Sequence, residues 1–342
     1  MASAKHRVIL GMMTFGPASS PSARITTMSD TKAILDRFKG AGYSEIDTAR
    51  VYTSGDQEAW TAAAGWKDVY HFDIATKCFP VESGMHSKTE LPKYLTTSLA
   101  ELKTDSVGIY YLHAPDRSVP FLETLQTIDA LYRQGKFKIF GLSNYAAYEV
   151  AEIVTLCRAN NLVPPTLYQA KYNCITRSIE PELIPALRHY GLDLVVFNPL
   201  CGGLFSGKYN RTTGIPTTGR FSAAAGAQGD IYRNRYFKDC YWDALDLLQP
   251  VAEKHNIPLL DIALRWLVHH SKLNLGPAAG QTGDGIIIGV SSPAQLDADI
   301  AAIEDAPLPA DILAALDAAQ KLVMPYELPY WRGNLEYTYD TK

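Results

Sequence analysis

The chain has 342 residues, of which 47% are hydrophobic and 20% are charged, and these proportions are typical of an ordinary globular protein. Its formal net charge of −4 and its pI of about 6.1 argue against the basic surface on which nucleic-acid binding depends. No stretch contains the roughly 18 consecutive apolar residues of a membrane span, and the N-terminus has no apolar run of signal-peptide length. We therefore expect neither nucleic acid nor a membrane as a partner.

The cysteines bear on the cellular compartment. They are five in number and form no CxxC pair, which is typical of reduced thiols in a cytoplasmic protein. Cys78 and Cys201 are interpreted as buried, small apolar side chains rather than redox sensors. No tight cluster of His, Cys or Asp has the spacing of metal ligands. The sequence therefore predicts a cytoplasmic protein with no metal site.

Short apolar runs alternate with segments of helical periodicity along the chain. The predicted strands are 8–13, a short run around Ile46, runs ending at Lys77, His113 and Asn144, and then 166–169, 194–197 and 285–289. The predicted helices are 31–41, 57–64, 91–102, 121–134, 148–158, 181–190, 258–270 and 293–303.

Eight such units without a linker predict one (β/α)8 barrel domain over residues 1–342. A doubly wound sheet is the alternative, but it would carry a glycine-rich phosphate turn after its first strand, and GMMTFG at 11–16 does not match GxGxxG. Residues 200–238 are predicted to be a long, Gly/Ser/Thr-rich functional loop after the seventh strand. The tail from 324 onward is rich in Tyr, Trp and Pro.

Polar side chains of complementary chemistry stand at successive predicted strand ends. Asp47 closes the second strand and Tyr52 follows it, Lys77 ends the third strand, and His113 ends the fourth. Because the C-terminal ends of barrel strands face one mouth, these four side chains are expected to converge there. The sequence therefore predicts one site at this mouth.

The chemistry of this set is that of a general acid with an electrophilic helper. A phenol has a pKa of about 10, so Lys77 is expected to lower the pKa of Tyr52 while Asp47 keeps Lys77 charged. His113 can donate a hydrogen bond to a carbonyl oxygen. The set contains no nucleophile, so a carbonyl that takes its proton here must receive hydride from a nicotinamide cofactor.

With these residues in place, the sequence resembles the aldo-keto reductases, and within them the branch of aflatoxin-aldehyde and succinic-semialdehyde reductases. The resemblance runs from residues 10–11 to 330–332. The motifs that carry it are IDTA (46–49) with Tyr52, IATK (74–77), YLHAPD (111–116), GKF (135–137), GLSNY (141–145), YQ (168–169) with YN (172–173), NPL (198–200) with GGL (202–204), GRF (219–221) with YRNRY (232–236), and LRW (264–266) with HHS (269–271).

The resemblance implies a catalytic tetrad of Asp47, Tyr52, Lys77 and His113, with Tyr52 as the acid, and NADP as the cofactor. It implies a nicotinamide held by Ser143, Asn144 and Gln169 and stacked on Phe197. The positions implied to hold the rest of the cofactor are Asn198, Leu200, Gly202 and Lys208 around the pyrophosphate, and Gly289, Ser291, Ser292 and Gln295 around the adenosine phosphate.

Two departures from the family pattern matter, one at the 2′-phosphate and one at the adenine of the cofactor. Val290 and Gln295 stand where many relatives have Lys and Arg, and Asp299 stands where an Asn usually contacts adenine. Arg220 in the long loop and Arg332 in the tail are the candidates to supply the missing positive charge. NADPH is therefore expected to be preferred over NADH, but less steeply than in those relatives.

The substrate implied by the resemblance is a small-molecule carbonyl compound, most simply an aldehyde. The residues implied to line its pocket are Met13, Tyr52, His113, Arg235 and Trp331, with Arg235 placed to pair with the carboxylate of an acidic substrate.

Two other functions fit the same barrel and tetrad. One is an NADP-binding regulatory subunit like the potassium-channel β subunits, which the shorter overall match disfavours. The other is an alcohol dehydrogenase of secondary metabolism, since a fold does not set reaction direction. A homodimer is left open as the state of assembly.

Overall fold

The computed structural model describes residues 6–275 and 283–339 of the chain. Within them, each of eight strands pairs in parallel with the next, and the first also pairs with the eighth, which closes the sheet into a barrel. The strands are β1 (Val8–Gly11), β2 (Glu45–Asp47), β3 (Asp73–Cys78), β4 (Val107–Leu112), β5 (Phe137–Ser143), β6 (Leu167–Lys171), β7 (Asp193–Phe197) and β8 (Gly285–Ile288). The predicted (β/α)8 architecture is confirmed, and the doubly wound alternative is wrong.

Helices follow the strands and surround the barrel. Those in the described residues are α1 (Met28–Gly40), α2 (Gln57–Ala64), α3 (Leu91–Glu101), α4 (Phe121–Arg133), α5 (Ala147–Ala159), α6 (Leu183–Tyr190), α7 (Gly226–Tyr236), α8 (Asp239–His255), α9 (Leu259–His269), α10 (Pro293–Ile303) and α11 (Ala310–Val323). None of the helices described here combines the length and the apolar composition needed to cross a bilayer.

The strands are apolar on both faces because both faces are covered. All six residues of β4 are buried, for example. Inward-facing side chains from several strands fill the barrel and form its floor, and they include Ile9, Ala75, Ile109, Tyr111, Leu167, Val195 and Ile287. The outward-facing residues pack against the helices in a second, larger core. Polar side chains at the C-terminal strand ends therefore stand on a rigid, dry base.

The connection after β7 is more ordered than the sequence indicates. Residues 200–238 were expected to be a loop, but they include the 11-residue helix α7. Glycines at 226 and 229 obscure this helix in the sequence, and Gly229 is needed because a Cβ there would lie 2.3 Å from the carbonyl oxygen of Ser222. Tyr232 and Tyr236, one turn apart, are buried and fix the helix over the mouth.

Two further helices, α8 and α11, lie outside the predicted set and pack against each other. Pro250 lies inside α8, and an internal proline is ordinarily a sign against a helix. All five cysteines are free and buried, as expected for reduced thiols.

Candidate active site

Lys77 is the centre of a hydrogen-bonded cluster at the C-terminal mouth of the barrel. It lies near the end of β3, and its side chain is fully buried. Its Nζ donates to Oδ1 of Asp47, to the carbonyl oxygen of Thr48 at 2.7 Å and to Oη of Tyr52 at 3.2 Å. Oδ2 of Asp47 accepts from Nε2 of Gln169 at 2.9 Å. The Asp47 carboxylate is thus held from two sides and fixes the direction of the amine.

Tyr52 is held in place by an unusual backbone. It opens a short 3₁₀ turn, Tyr52–Gly55, in which Thr53 and Ser54 have φ of 45° and 60°. Such left-handed conformations are costly for residues other than glycine and persist where surrounding packing enforces them. A Cβ at Gly16 would lie 2.9 Å from Oγ1 of Thr53, so the connection after β1 packs directly on this turn. That packing fixes the position of the phenol.

The protonation state of Tyr52 differs from the expectation. Burial raises the pKa of Tyr52 well above its usual value, Asp47 and Tyr232 raise it further, and Arg220 opposes them. The net shift is opposite to the lowering expected from Lys77, because loss of hydration is its largest cause. Lys77 itself has a lowered pKa through burial, with Asp47 opposing.

Lys77 acts on Tyr52 through a hydrogen bond. The phenol oxygen accepts an N–H of Lys77, so its own O–H is left to donate elsewhere. Tyr52 lines the large cavity at the barrel mouth. The hydroxyl of Tyr52 can therefore donate a hydrogen bond into the cavity while its oxygen is already bound by Lys77.

His113 directly follows β4 and lies beside Tyr52. The two ring centroids are 5.9 Å apart at an interplanar angle of 81°. Burial lowers the pKa of His113 well below its usual value, and the charges of Lys77 and Arg332 lower it further. A neutral imidazole keeps one N–H, so His113 can donate to an oxygen bound in the cavity without adding charge.

The cavity has a volume of about 930 Å³, in the upper part of the usual range of roughly 300–1,000 Å³ for ligand pockets. One end reaches the cluster, and the other reaches the start of α10. Of the predicted residues, it is lined by Met13, Asp47, Tyr52, His113, Gln169, Phe197, Asn198, Leu200, Gly202, Lys208, Arg220, Gly289, Ser291, Ser292 and Gln295.

Besides Lys77 and Arg332, four predicted residues lie outside the lining of this cavity. Ser143 is buried, and its Oγ accepts from Nδ2 of Asn144 at 2.9 Å. The same Nδ2 is 2.8 Å from the carbonyl oxygen of His113. Arg235 lies on α7 with its guanidinium 5.6 Å from the ring centroid of Tyr232. Trp331 is half-buried and packs against the core.

The position of Arg332 corrects one hypothesis. Its backbone N–H donates to the carbonyl oxygen of Asn144 at 2.9 Å, and its guanidinium lies 5.7 Å from the ring centroid of Phe79. Phe79 in turn packs edge-on against His113, with ring centroids 5.4 Å apart. Arg332 therefore lies at the end of the mouth that holds His113, and it is not among the residues that line the cavity with Gly289 and Gln295.

Several residues of the site carry no sequence motif. Glu58 on α2 is fully buried behind Lys77, and it accepts from Oγ1 of Thr76 at 2.5 Å and from Arg50 at 2.7 Å. Arg24 and Tyr209 line the cavity. A single charged or aromatic residue outside a motif is usually solvated or packed. Only its position in the structure therefore identifies it as part of the site.

The donors in the cavity suit an anionic dinucleotide. Arg24, Lys208 and Arg220 line it, whereas the acidic part of its lining within the described residues is Asp47 alone. Nδ2 of Asn198 is buried without a hydrogen-bond partner among the described residues. A Cβ at Gly202 would lie 2.6 Å from the ring of Tyr232, so the backbone there is closely covered. These features fit the residues that the family resemblance assigns to a cofactor.

Comparison with known proteins agrees with this arrangement. Residues 7–321 match the model of the aldo/keto reductase family. The chain is 39% identical over 342 residues to human aldo-keto reductase family 7 member A3, which covers 97% of this chain and 99% of that protein. It is 39% identical over 334 residues to mouse aflatoxin B1 aldehyde reductase member 2, covering 95% and 87%. It is 38% identical over 339 residues to aldo-keto reductase pigE of Monascus ruber, covering 95% and 96%. The chain therefore belongs to the aldo/keto reductase family.

Proposed function

We propose that this oxidoreductase reduces aldehydes to alcohols with NADPH, and that Tyr52 is the general acid. Family membership supports oxidoreduction of a carbonyl group. The observation that carries the finer proposal is the Lys77–Tyr52 hydrogen bond of 3.2 Å at the end of the cavity, beside a neutral His113. Tyr52 can then donate its O–H, and His113 its N–H, to the carbonyl oxygen of one substrate.

In this proposal, the carbonyl oxygen of the substrate accepts hydrogen bonds from Oη of Tyr52 and from the imidazole of His113. A nicotinamide cofactor, when bound, would supply the hydride that the carbonyl carbon receives. Tyr52 gives its proton to the oxygen, which becomes the alcohol, and the resulting phenolate is stabilised by the N–H of Lys77. Asp47 keeps Lys77 directed at Tyr52. Reprotonation from solvent then restores the acid.

The cofactor is proposed to lie along the cavity, with the nicotinamide at the catalytic end. Phe197 offers a half-buried aromatic face at the end of β7, and Ser143, Asn144 and Gln169 are proposed to hold the carboxamide. Gln169 already bonds Asp47, so it would link the cofactor to the cluster. The adenosine phosphate is proposed to lie at Gly289, Ser291 and Gln295.

The decisive experiment is a turnover screen of small aldehydes with NADPH and, in parallel, NADH. We expect NADPH-dependent reduction of at least some aldehydes, and tighter binding of NADPH than of NADH in a fluorescence titration. NADPH binding without turnover of any carbonyl compound would favour a regulatory subunit. Faster oxidation of alcohols than reduction of aldehydes at neutral pH would favour a dehydrogenase.

Arg235 is proposed to recognise the carboxylate of an acidic aldehyde. Its guanidinium stands beside the rings of Tyr232 and Tyr236, at 5.6 and 5.9 Å, and its Nε is buried without a partner among the described residues. Because truncating one member of a desolvated charge pair costs about 2–5 kcal/mol, Arg235→Ala is expected to raise KM for succinic semialdehyde by about tenfold or more. KM for a neutral aromatic aldehyde should change little. Equal effects on both aldehydes would show that Arg235 only supports α7.

A further inference from the structure

Two guanidinium groups face the same part of the cavity from different connections. Arg24 lies between β1 and α1, and Arg220 lies between β7 and α7. Both line the cavity. A Cβ at Gly219 would lie 3.7 Å from Nη1 of Arg24, so Arg24 reaches across to the residue that precedes Arg220. The two connections thus place two like charges close to each other.

Neither arginine has an acidic partner within residues 6–275 and 283–339. Nη1 of Arg220 donates to Oη of Tyr232 at 3.1 Å, and its guanidinium lies 4.8 Å from that ring's centroid. Nε of Arg24 is buried and has no hydrogen-bond partner in this part of the chain. Most other arginines at this level of burial, such as Arg117 with Glu149, are paired with a carboxylate. Two cations at close range repel each other, so an anion bound between them would stabilise the pair.

The surrounding groups show the same excess of positive charge. Burial and, after it, the charge of Arg220 lower the pKa of Arg24 to about 10, while Tyr209 and Tyr232 oppose them. Burial alone would raise the pKa of Tyr232, but Arg220 and Arg235 outweigh it and lower that pKa. The pKa shifts of Arg24 and Tyr232 therefore both favour the more negative form of the side chain.

The pair lies against the junction of β8 and α10. The N–H of Arg24 donates to the carbonyl oxygen of Thr14 at 2.7 Å, and Oγ1 of Thr14 donates to the carbonyl oxygen of Val290 at 3.4 Å. A Cβ at Gly289 would lie 3.8 Å from Nη2 of Arg220. Val290 and Gln295 provide no charge at this junction, whereas the guanidinium of Arg220 approaches it and Arg24 is tied to it through Thr14.

We propose that Arg24 and Arg220 together bind the 2′-phosphate of the cofactor, with Arg24 as a specificity residue that no sequence motif assigns. The proposal rests on the proposed NADPH dependence. Two guanidinium forks from opposite connections can each donate two N–H groups to one phosphate. Many relatives carry positive charge at the start of the helix that corresponds to α10. In this chain, Arg24 and Arg220 supply that charge from the connections after β1 and β7.

The test is direct binding of NADPH and NADH to the whole protein by calorimetric titration. Arg24→Met and Arg220→Met are each expected to weaken NADPH binding about 10- to 100-fold, because each removes hydrogen bonds to a charged phosphate. NADH binding should change less than about twofold, since NADH has no 2′-phosphate. Arg24→Lys should restore part of the loss. Arg211→Met is the matched control, because it removes the same charge from the same connection, at an exposed residue paired with Asp243.

Three results would overturn the inference. Unchanged NADPH binding in Arg24→Met would remove Arg24 from the site. Equal losses for NADPH and NADH would place the pair at the pyrophosphate or show a merely structural role. A wild type that binds neither dinucleotide would overturn the proposed function as well, whereas the first two results leave that function intact.

Discussion

Replacing Tyr52 with Phe is expected to lower kcat for aldehyde reduction by about 10²- to 10⁴-fold, the usual contribution of a positioned general acid. The change removes one oxygen atom and leaves the ring, which packs edge-on against His113. It takes away both the proton that the carbonyl oxygen needs and the acceptor of the Lys77 hydrogen bond. Because the phenol stands at one end of the cavity, the dissociation constant of NADPH should stay within about threefold of wild type.

The matched control is Tyr110→Phe, which removes a buried phenol oxygen from β4 outside the cavity lining. It should keep wild-type turnover, although some stability will be lost. Rates are compared at saturating NADPH and aldehyde, so that binding defects do not enter. Wild-type kcat in Tyr52→Phe would show that His113 or a bound water donates the proton, and Tyr52 would then be a wall of the pocket.

The cluster around Lys77 could be predicted because, in a (β/α)8 barrel, side chains at the C-terminal ends of the strands lie at the same mouth. Once eight parallel strands are recognised, Asp47, Lys77 and His113 must lie at one mouth. Their mutual contacts then follow from chemistry, since a buried amine needs a carboxylate. The sequence could not show how strongly burial acts on Tyr52. Its pKa depends on a competition between dehydration and nearby charges, and that competition is decided by packing.

The phosphate end was less predictable for a different reason. Arg24 and Arg220 are far apart in sequence, and each lies in a connection whose composition indicates only a loop. Their proximity depends on α7, where glycines conceal the helix, and on the close approach of the connection after β1 to Val290. The tail shows the same difficulty: Arg332 is held in place because Nη1 of Arg117 donates to its carbonyl oxygen at 2.7 Å.

Asp299 leads to the second large expected effect, on stability. It lies on α10, one turn after Gln295, and is fully buried. Neither carboxyl oxygen makes a hydrogen bond of normal geometry within the described residues. Burial raises its pKa from 3.8 to about 8, Asp261 contributes in the same direction, and Gln295 opposes. The folded protein therefore holds Asp299 as a neutral acid at neutral pH.

The sign of the pH dependence follows from this raised pKa. Below about pH 4, Asp299 is protonated in both the folded and the unfolded chain, so its raised pKa does not lower the free energy of unfolding. As the pH rises from about 4 to about 8, the unfolded chain releases the proton and the folded chain keeps it, so stability falls. A difference of about four pKa units corresponds to at most about 5 kcal/mol.

We therefore expect Asp299→Asn to stabilise the protein increasingly with pH. The amide resembles the neutral acid in shape and cannot ionise, so the advantage of the variant in free energy of unfolding should grow by about 3–4 kcal/mol between pH 5 and pH 9. Urea unfolding at both pH values measures it. Asp297→Asn on the same helix is the control: Asp297 is half-exposed and paired with Arg37, and its loss should change stability by less than about 1 kcal/mol. An advantage of Asp299→Asn that is the same at both pH values would mean that Asp299 ionises freely in the folded protein, and that its burial is relieved by water or by movement of α10.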